Sequence, residues 1–249
     1  DLYRDFDNGS MKSVKVGPAA EWKSFNWEYF ALENPHQDSI NIKVFGIDNF
    51  GNETQVMSPI TPENLEIFQL QDSINYQTFP NLKLEFYSKD QANKTSAQLK
   101  KWQLKFKGVP ETAIDPKSGF FFCCDTIQEG DEVYFSIATK NISDLDMDSL
   151  DVIYWVKNSD NETTLTKRKR LRPHPAGDIL KDTISFSSMG MKGIYSIWVE
   201  FNPTNPQTGI YYQAEQYHFN NIANKYFFVQ GDITNPLLDV SFDGRYIMN

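Results

Sequence analysis

The residues best suited to covalent chemistry are two adjacent cysteines, Cys123 and Cys124, in the segment GFFFCCD. A cysteine nucleophile needs a thiolate and a base, usually a histidine within hydrogen-bond reach. Of the three histidines, His36, His174 and His218, only His218 is a candidate partner, and no motif joins it to either thiol. A bond between neighbouring cysteines would close a strained ring, and a zinc site would need more Cys or His ligands. We therefore predict no catalytic residue, no zinc, and a packing role for both thiols.

Three aspartates have a spacing that could bind a metal ion. Asp144, Asp146 and Asp148 alternate as the first three ligands of a calcium loop do. The sixth position would then be Ser149 instead of glycine, and the twelfth would be Trp155 instead of glutamate. These departures remove the tight turn and the closing bidentate ligand, so a solvated acidic loop is favoured over a calcium site of another kind. Apart from this calcium candidate, we expect no cofactor.

Charge and hydrophobicity limit the classes of partner. The chain of 249 residues has 24 Lys and Arg against 33 Asp and Glu, a net charge of −9. This balance argues against nucleic acid and anionic membrane surfaces, and no apolar run is long enough to insert into a membrane. The basic run 167–172 is either a polyanion patch or a charged strand edge, and we favour the strand edge.

Strand-like alternation recurs along the chain between turns rich in Gly, Pro, Asn and Asp. It predicts an all-β fold of two consecutive antiparallel β-sandwiches, the first jelly-roll-like over 1–112 and the second immunoglobulin-like over 118–230. The boundary falls in 108–118, which lacks alternation. Residues 231–249 look like the start of a further β domain, so we expect the chain to be a fragment of a larger protein.

The same alternation assigns positions to side chains of interest. It places Cys124 on one face of the strand GFFFCC with Phe120 and Phe122. Two tryptophans, Trp27 and Trp102, could stack on a sugar if they lie on exposed loops; both fall in predicted strands, so core packing is favoured. The pair Asn220–Asn221, with Glu215 nearby, is predicted to support a loop rather than a ligand.

The segments EGDEVYFSIATKNIS (129–143) and AEQYHFNNIANKYFFV (214–229) resemble the CARDB family, adhesion-related sandwich modules of bacterial surface proteins. Three further segments are similar to the non-catalytic region of large Bacteroidota surface proteins, which include gingipain-type cysteine peptidases and PorU-like sortases of the type IX secretion system. They are GPAAEWKSFNWEY (17–29), PNLKLEFYSKDQANKTSAQLKKWQLKFKGVPE (80–111) and NPLLDVSFDGRYIMN (235–249).

This resemblance implies an extracellular or cell-surface location, associated with the outer membrane, and protein partners there. The leading hypothesis is a structural and interaction segment. The alternatives are a carbohydrate-binding module in the first sandwich, and the accessory region of a peptidase whose active site lies upstream. Since the peptidase domain has no counterpart here, no catalytic residue is transferred.

The resemblance also gives meaning to five Asp-Ser/Thr-aliphatic triplets, which are similar to the O-glycosylation acceptor motif of exported proteins in that phylum. One or two of these triplets are expected to be used. The acceptor hydroxyls would be those of Ser39, Ser73, Thr126, Ser149 and Thr183.

Overall fold

The computed structural model describes residues 7–33, 38–90 and 92–231. Within them the chain forms sixteen strands and two short 3-10 helices, and the sheets are antiparallel with a single parallel pair. This confirms the predicted all-β fold class. Residues 231–249, which are predicted to begin a third domain, lie outside the described residues except for Gly231. None of the described helices is long and apolar enough to cross a membrane.

The first sandwich packs a four-stranded sheet, in the order β1-β6-β3-β4, against a three-stranded sheet, β5-β2-β7. Its elements are β1 (Asn8–Lys12), β2 (Ala19–Phe30), β3 (Ser39–Ile47), β4 (Glu53–Gln55), β5 (Glu66–Phe68), a 3-10 turn at Leu70–Asp72, β6 (Asn81–Lys89) and β7 (Gln98–Gly108). Alternation explains the core: Leu82, Leu84 and Phe86 are buried on β6. The intervening residues face outward, as period-2 geometry requires.

Close packing at one position of this sheet, Gly46, leaves no room for a side chain. A Cβ on Gly46 of β3 would lie 2.5 Å from the Phe79 ring and 2.6 Å from Val56 Cγ1. The aromatic ring therefore packs directly on the backbone, and any side chain here would collide with it.

The second sandwich packs a five-stranded sheet, β10-β16-β15-β12-β13, against β14-β11-β8, with β9 also paired to β11. Its elements are β8 (Thr112–Ile114), β9 (Phe120–Phe122), β10 (Thr126–Gln128), β11 (Glu132–Asn141), β12 (Met147–Asn158), β13 (Thr163–His174), β14 (Ile179–Ser187), β15 (Gly193–Phe201), a 3-10 turn at Phe219–Asn221 and β16 (Ile222–Gln230). Strands β10 and β16 form the parallel pair.

The predicted boundary segment 108–118 contains a strand of the second sandwich. In β8, Thr112, Ala113 and Ile114 pair with the end of β11, so this sheet begins before the predicted start at 118. Three residues are too few to show alternation, which is why the sequence pattern did not reveal the strand.

The basic run lies on β13, where alternate residues have different partners. Lys169 Nζ lies 3.0 Å from Asp182 Oδ1 on β14, and Tyr154 donates a hydrogen bond of 2.8 Å to the other oxygen of Asp182. Lys167 donates to the carbonyl of Ser185, also on β14. These two lysines point inward and connect β13 to β14, which are edge strands of the two sheets. Their position agrees with the interpretation of the basic run as a charged strand edge.

The arginines of the same run point to the outer side of the sheet. Arg170 pairs with Asp151 at 3.1 Å, and Arg172 pairs with Asp178 at 2.7 Å. Two of the three arginines on this side are therefore paired locally, which disfavours a polyanion patch.

The two cysteines lie beyond the end of β9, at Phe122. Phe122 and Cys123 pack against the core, whereas Phe120, Phe121 and Cys124 are exposed. The prediction that Cys124 shares a face with Phe120 and Phe122 is wrong, because the strand ends before the alternation reaches it.

Desolvation and the adjacent Cys123 thiol raise the pKa of Cys124 to about 11, so this thiol stays protonated and weakly nucleophilic at neutral pH.

Candidate functional site

A cleft of about 660 Å³ lies where the first sandwich meets a long loop of the second. The first sandwich contributes segments 15–20, 47–51 and 76–81, and the second contributes residues of 209–218. Val109 and Pro110, which connect the sandwiches, complete the wall. The volume lies in the usual range of small-ligand pockets.

The cleft is lined by small and apolar residues, among which neutral hydrogen-bonding side chains and rings are interspersed, together with the charged residues Lys15, Asp48 and Glu215. Amides come from Asn49, Gln77, Asn81, Gln213 and Gln216. Tyr76 and Tyr211 remain 39% and 37% exposed and face the same space. Amides that both donate and accept, next to partly exposed rings, suit a polar ligand with an apolar face.

Two polar atoms of the cleft are buried and lack a hydrogen-bond partner. They are Oδ1 of Asn81 and Nδ1 of His218. The His218 ring stacks on Tyr211, and the carboxylate oxygen of Glu215 is 3.9 Å from its Nδ1, beyond hydrogen-bond distance. Burial lowers the pKa of His218 to about 4, so the ring is neutral at neutral pH. Buried groups without partners are rare and often mark the place of a ligand or water.

Glu215 lies at the base of this wall and is 4% exposed. Its carboxylate accepts a hydrogen bond of 2.7 Å from the Thr112 amide, one of 2.9 Å from Asn221 Nδ2, and a further one from Asn202 Nδ2. Burial, with a smaller effect of the nearby Glu111 carboxylate, outweighs these donors and raises the pKa of Glu215 to about 7.

Glu111 makes a second set of bonds to the same loop. Its carboxylate accepts hydrogen bonds from the amides of Gln216 at 2.8 Å and Tyr217 at 3.1 Å, and from Asn220 Nδ2 at 2.7 Å. The two glutamates therefore tie the connection between the sandwiches to the loop that forms the cleft. The prediction that Asn220 and Asn221 support a loop is confirmed.

Trp27 and Trp102, for which core packing is favoured over sugar stacking, lie opposite one another on β2 and β7. Trp27 is 1% exposed and donates its ring N–H to the carbonyl of Asn64 at 3.1 Å. It is a core residue and cannot stack on a ligand. Trp102 is half-buried on edge strand β7 and lines a smaller groove of about 380 Å³ with Val14.

The three aspartates considered as a calcium candidate, Asp144, Asp146 and Asp148, are exposed and do not converge. Asp146 accepts a hydrogen bond of 2.9 Å from the Ala176 amide, and Asp148 accepts one of 2.6 Å from the Ser149 amide. Among the described residues, the acidic side chains that do converge lie elsewhere, in the first sandwich. The solvated-loop interpretation of Asp144, Asp146 and Asp148 is the one that these contacts support.

The five triplet hydroxyls share one geometry. In each triplet the aliphatic residue is buried, while the hydroxyl side chain of Ser39, Ser73, Thr126 or Thr183 is exposed and that of Ser149 is half-buried. On the strands this arrangement follows from alternation, whereas Ser73 lies at the end of the 3-10 turn Leu70–Asp72. The modification of these hydroxyls remains a prediction.

Comparisons with known proteins leave the family open. No family model and no curated protein matches the sequence. Among solved structures, the CARDB domain of a Pyrococcus furiosus protein, in complex with di-metal ions, aligns at 13% identity with a TM-score of 0.35, covering 49% of this chain and 89% of that chain.

Two glycosidases align as well. A Listeria innocua β-glucosidase covers 51% of this chain at 13% identity and a TM-score of 0.33, over 17% of the enzyme. A Bacteroides uniformis β-glucuronidase covers 89% of this chain at 11% identity and a TM-score of 0.34, over 26% of the enzyme. These alignments are too distant to assign a function, so the site must be interpreted from its own residues.

Sequence reasoning missed the cleft because its walls come from segments far apart in the chain. Gln77 lies in the turn before β6, whereas Asn81 is the first residue of that strand, and neither position has a sequence motif that indicates a binding site. The one signal in the sequence is the Glu215–Asn221 region, whose residue types indicate loop support and not a cleft wall.

Proposed function

We propose that this chain is a non-catalytic interaction segment of a larger secreted or cell-surface protein, and that the cleft between its sandwiches is the binding site. The observation that carries the proposal is the pair of buried polar atoms without partners, Asn81 Oδ1 and His218 Nδ1, in a cleft of about 660 Å³. Asn81 Oδ1 has almost no accessible surface, so a ligand would reach it after a rotation of the Asn81 side chain and would then satisfy an acceptor that is costly to leave unpaired.

The favoured occupant is a protein partner outside the cell or at the outer membrane. The resemblance of segments 17–29 and 80–111 to Bacteroidota surface proteins supports this location and an association with type IX secretion. The cleft residues offer amides and rings and no nucleophile–base pair, which supports binding rather than catalysis; a peptidase active site in the parent would lie upstream.

The second candidate is carbohydrate binding, and the two partly exposed tyrosines favour it. Tyr76 and Tyr211 could pack on the C–H face of a sugar while Asn49, Gln77 and Gln213 bond its hydroxyls. We therefore propose the cleft as the site of the carbohydrate-binding alternative, because Trp27 is buried in the core.

A photo-crosslinking amino acid in place of Gln77, which lines the cleft, would test both candidates. The matched control carries it at Thr164, exposed on β13. The expected result is a discrete protein adduct at position 77 on cells that display the parent protein, absent at 164 and lost in Asn81→Ala.

A glycan panel bound by the purified chain, with binding lost in Tyr76→Ala, would establish the carbohydrate candidate instead. If position 77 crosslinks no more than position 164 and no glycan binds, the cleft is not a binding site and the proposal fails.

A further inference from the structure

Three carboxylates of the first sandwich, from segments far apart in sequence, meet near the ends of β3 and β6. Oxygens of Glu33, Asp38 and Asp90 all lie within 4.8 Å of one another. The β3–β6 register pairs Ser39 with Lys89, so Asp38 and Asp90 occupy the next opposed positions. Glu33 follows β2 of the facing sheet, so both sheets contribute to the cluster.

The cluster is held in place and poorly solvated. Asp90 is fully buried, and its carboxylate accepts hydrogen bonds from the amides of Ala92 at 2.9 Å, Asn93 at 3.1 Å and Thr95 at 2.6 Å. The Thr95 hydroxyl donates to Glu33 Oε1, while Oε2 of Glu33 is buried without a hydrogen-bond partner. Glu33 and Asp38 are half-buried beside the buried Asp90, and like charges this close repel one another unless a cation lies between them.

A buried hydroxyl outside the cluster gives an independent indication of a ligand. Ser88 is 5% exposed, and its Oγ has no hydrogen-bond partner. Alternation along β6 directs Ser88 to the same face as Asp90, and the register with β3 places it diagonal to Asp38. Buried hydroxyls are normally bonded, so this one calls for a bound ion or its water.

We propose that Glu33, Asp38 and Asp90 bind a divalent cation, calcium, at this end of the first sandwich. The ligand set is entirely oxygen, which suits a hard cation and excludes preference for zinc or copper. Oxygens that lie within 4.8 Å of one another are close enough to contact one calcium ion at its usual bond length of about 2.4 Å. The ion would connect the two sheets where both strands end.

Calcium titration of the full chain after dialysis against EDTA would test the site. One ion per chain is expected by calorimetry, with a saturable rise in melting temperature on the order of 5 °C or more. Magnesium at equal concentration is expected to give a much smaller rise, because it requires a more regular octahedral site.

Glu33→Gln separates calcium binding from a purely structural role. Removing one carboxylate should weaken calcium at least about tenfold, while the melting temperature in EDTA stays equal or rises because repulsion is relieved. Asp144→Asn, in the exposed acidic loop, is the matched control and should bind like the wild type.

Several results would overturn the proposal. One is the absence of a calcium-dependent shift in the wild-type chain at millimolar concentration. Another is a Glu33→Gln melting temperature that falls equally in EDTA and in calcium, which would make Glu33 merely a hydrogen-bond partner of Thr95. A third is unchanged affinity in Glu33→Gln with loss in Asp144→Asn, which would place the ion in the other loop.

Discussion

Replacing Glu215 with glutamine should make the stability of the second sandwich strongly dependent on pH. In the wild type, the protonation of Glu215 and that of His218 have opposite effects on stability and nearly cancel. Burial raises the pKa of Glu215 from 4.5 to about 7 and lowers that of His218 from 6.5 to about 4. Between pH 4.5 and 6.5 the unfolded chain has an ionised glutamate and a charged histidine, which together hold one proton. The folded pair also holds one proton, so folding takes up and releases none.

The variant breaks this balance. With Glu215→Gln, the folded state keeps a neutral His218 while the unfolded state binds a proton below pH 6.5. The contribution of His218 to the unfolding free energy is then fully present above pH 6.5 and is lost as the pH falls towards 4. Over this interval the unfolding free energy falls by about 1.36 kcal/mol per pH unit, or about 3 kcal/mol in total. The loss is reduced because solvent screens the His218 side chain, which is 20% exposed. His218→Gln should show the opposite slope, losing about 3 kcal/mol as the pH rises from 4.5 to 7.

Urea unfolding at several pH values between 4 and 7.5 measures both slopes. The Trp155 and Trp198 rings stack at 6.0 Å and 10°, so their coupled near-ultraviolet circular dichroism reports on the second sandwich. Burial also lowers the pKa of His174, and this residue titrates in every variant. The quantity to compare is therefore the difference in unfolding free energy between each variant and the wild type at each pH. A Glu215→Gln profile parallel to wild type within about 0.5 kcal/mol would refute the reasoning.

Other substitutions have simpler expected outcomes. Gly46→Ala should destabilise the first sandwich by about 1–3 kcal/mol in urea unfolding, since its Cβ would meet the Phe79 ring at 2.5 Å; a neutral effect would contradict that contact. Cys123→Ala should cost about 1 kcal/mol and Cys124→Ala under about 0.5, because only Cys123 packs on the core; the reverse order would contradict the assignment. Tyr154→Phe should cost about 1 kcal/mol by removing a hydrogen bond to a carboxylate, and an unchanged unfolding midpoint would show that bond to be unimportant.

The sequence predicted the strands of the core well, because long alternating segments such as β6 have one buried face. It failed where elements are short or end early. The strand at Thr112–Ile114 is too brief to show a period, and β9 ends at Phe122, so Cys124 could not be assigned to a face. Pairing with β11, which fixes both strands, is a long-range property.

The candidate sites were harder to predict because they depend on the meeting of distant segments. Glu33 and Asp90 are brought together by the packing of two sheets, and Asn81 and His218 line one cleft only because the two sandwiches adjoin there. The aspartates at 144, 146 and 148 have the more regular spacing, yet Asp146 accepts a hydrogen bond from the Ala176 amide and Asp148 from the Ser149 amide, so they do not share a ligand.

The parallel pairing of β10 and β16 determines how the second sandwich would respond to force. When a chain is pulled from both ends, tension draws these strands in opposite directions along their common axis. The three residue pairs from Thr126–Phe228 to Gln128–Gln230 then bear the load together, in shear, instead of opening one after another. The side chains of Gln128 and Gln230 add a 3.0 Å bond to the same pair. A spacer built in this way resists extension at its last strand.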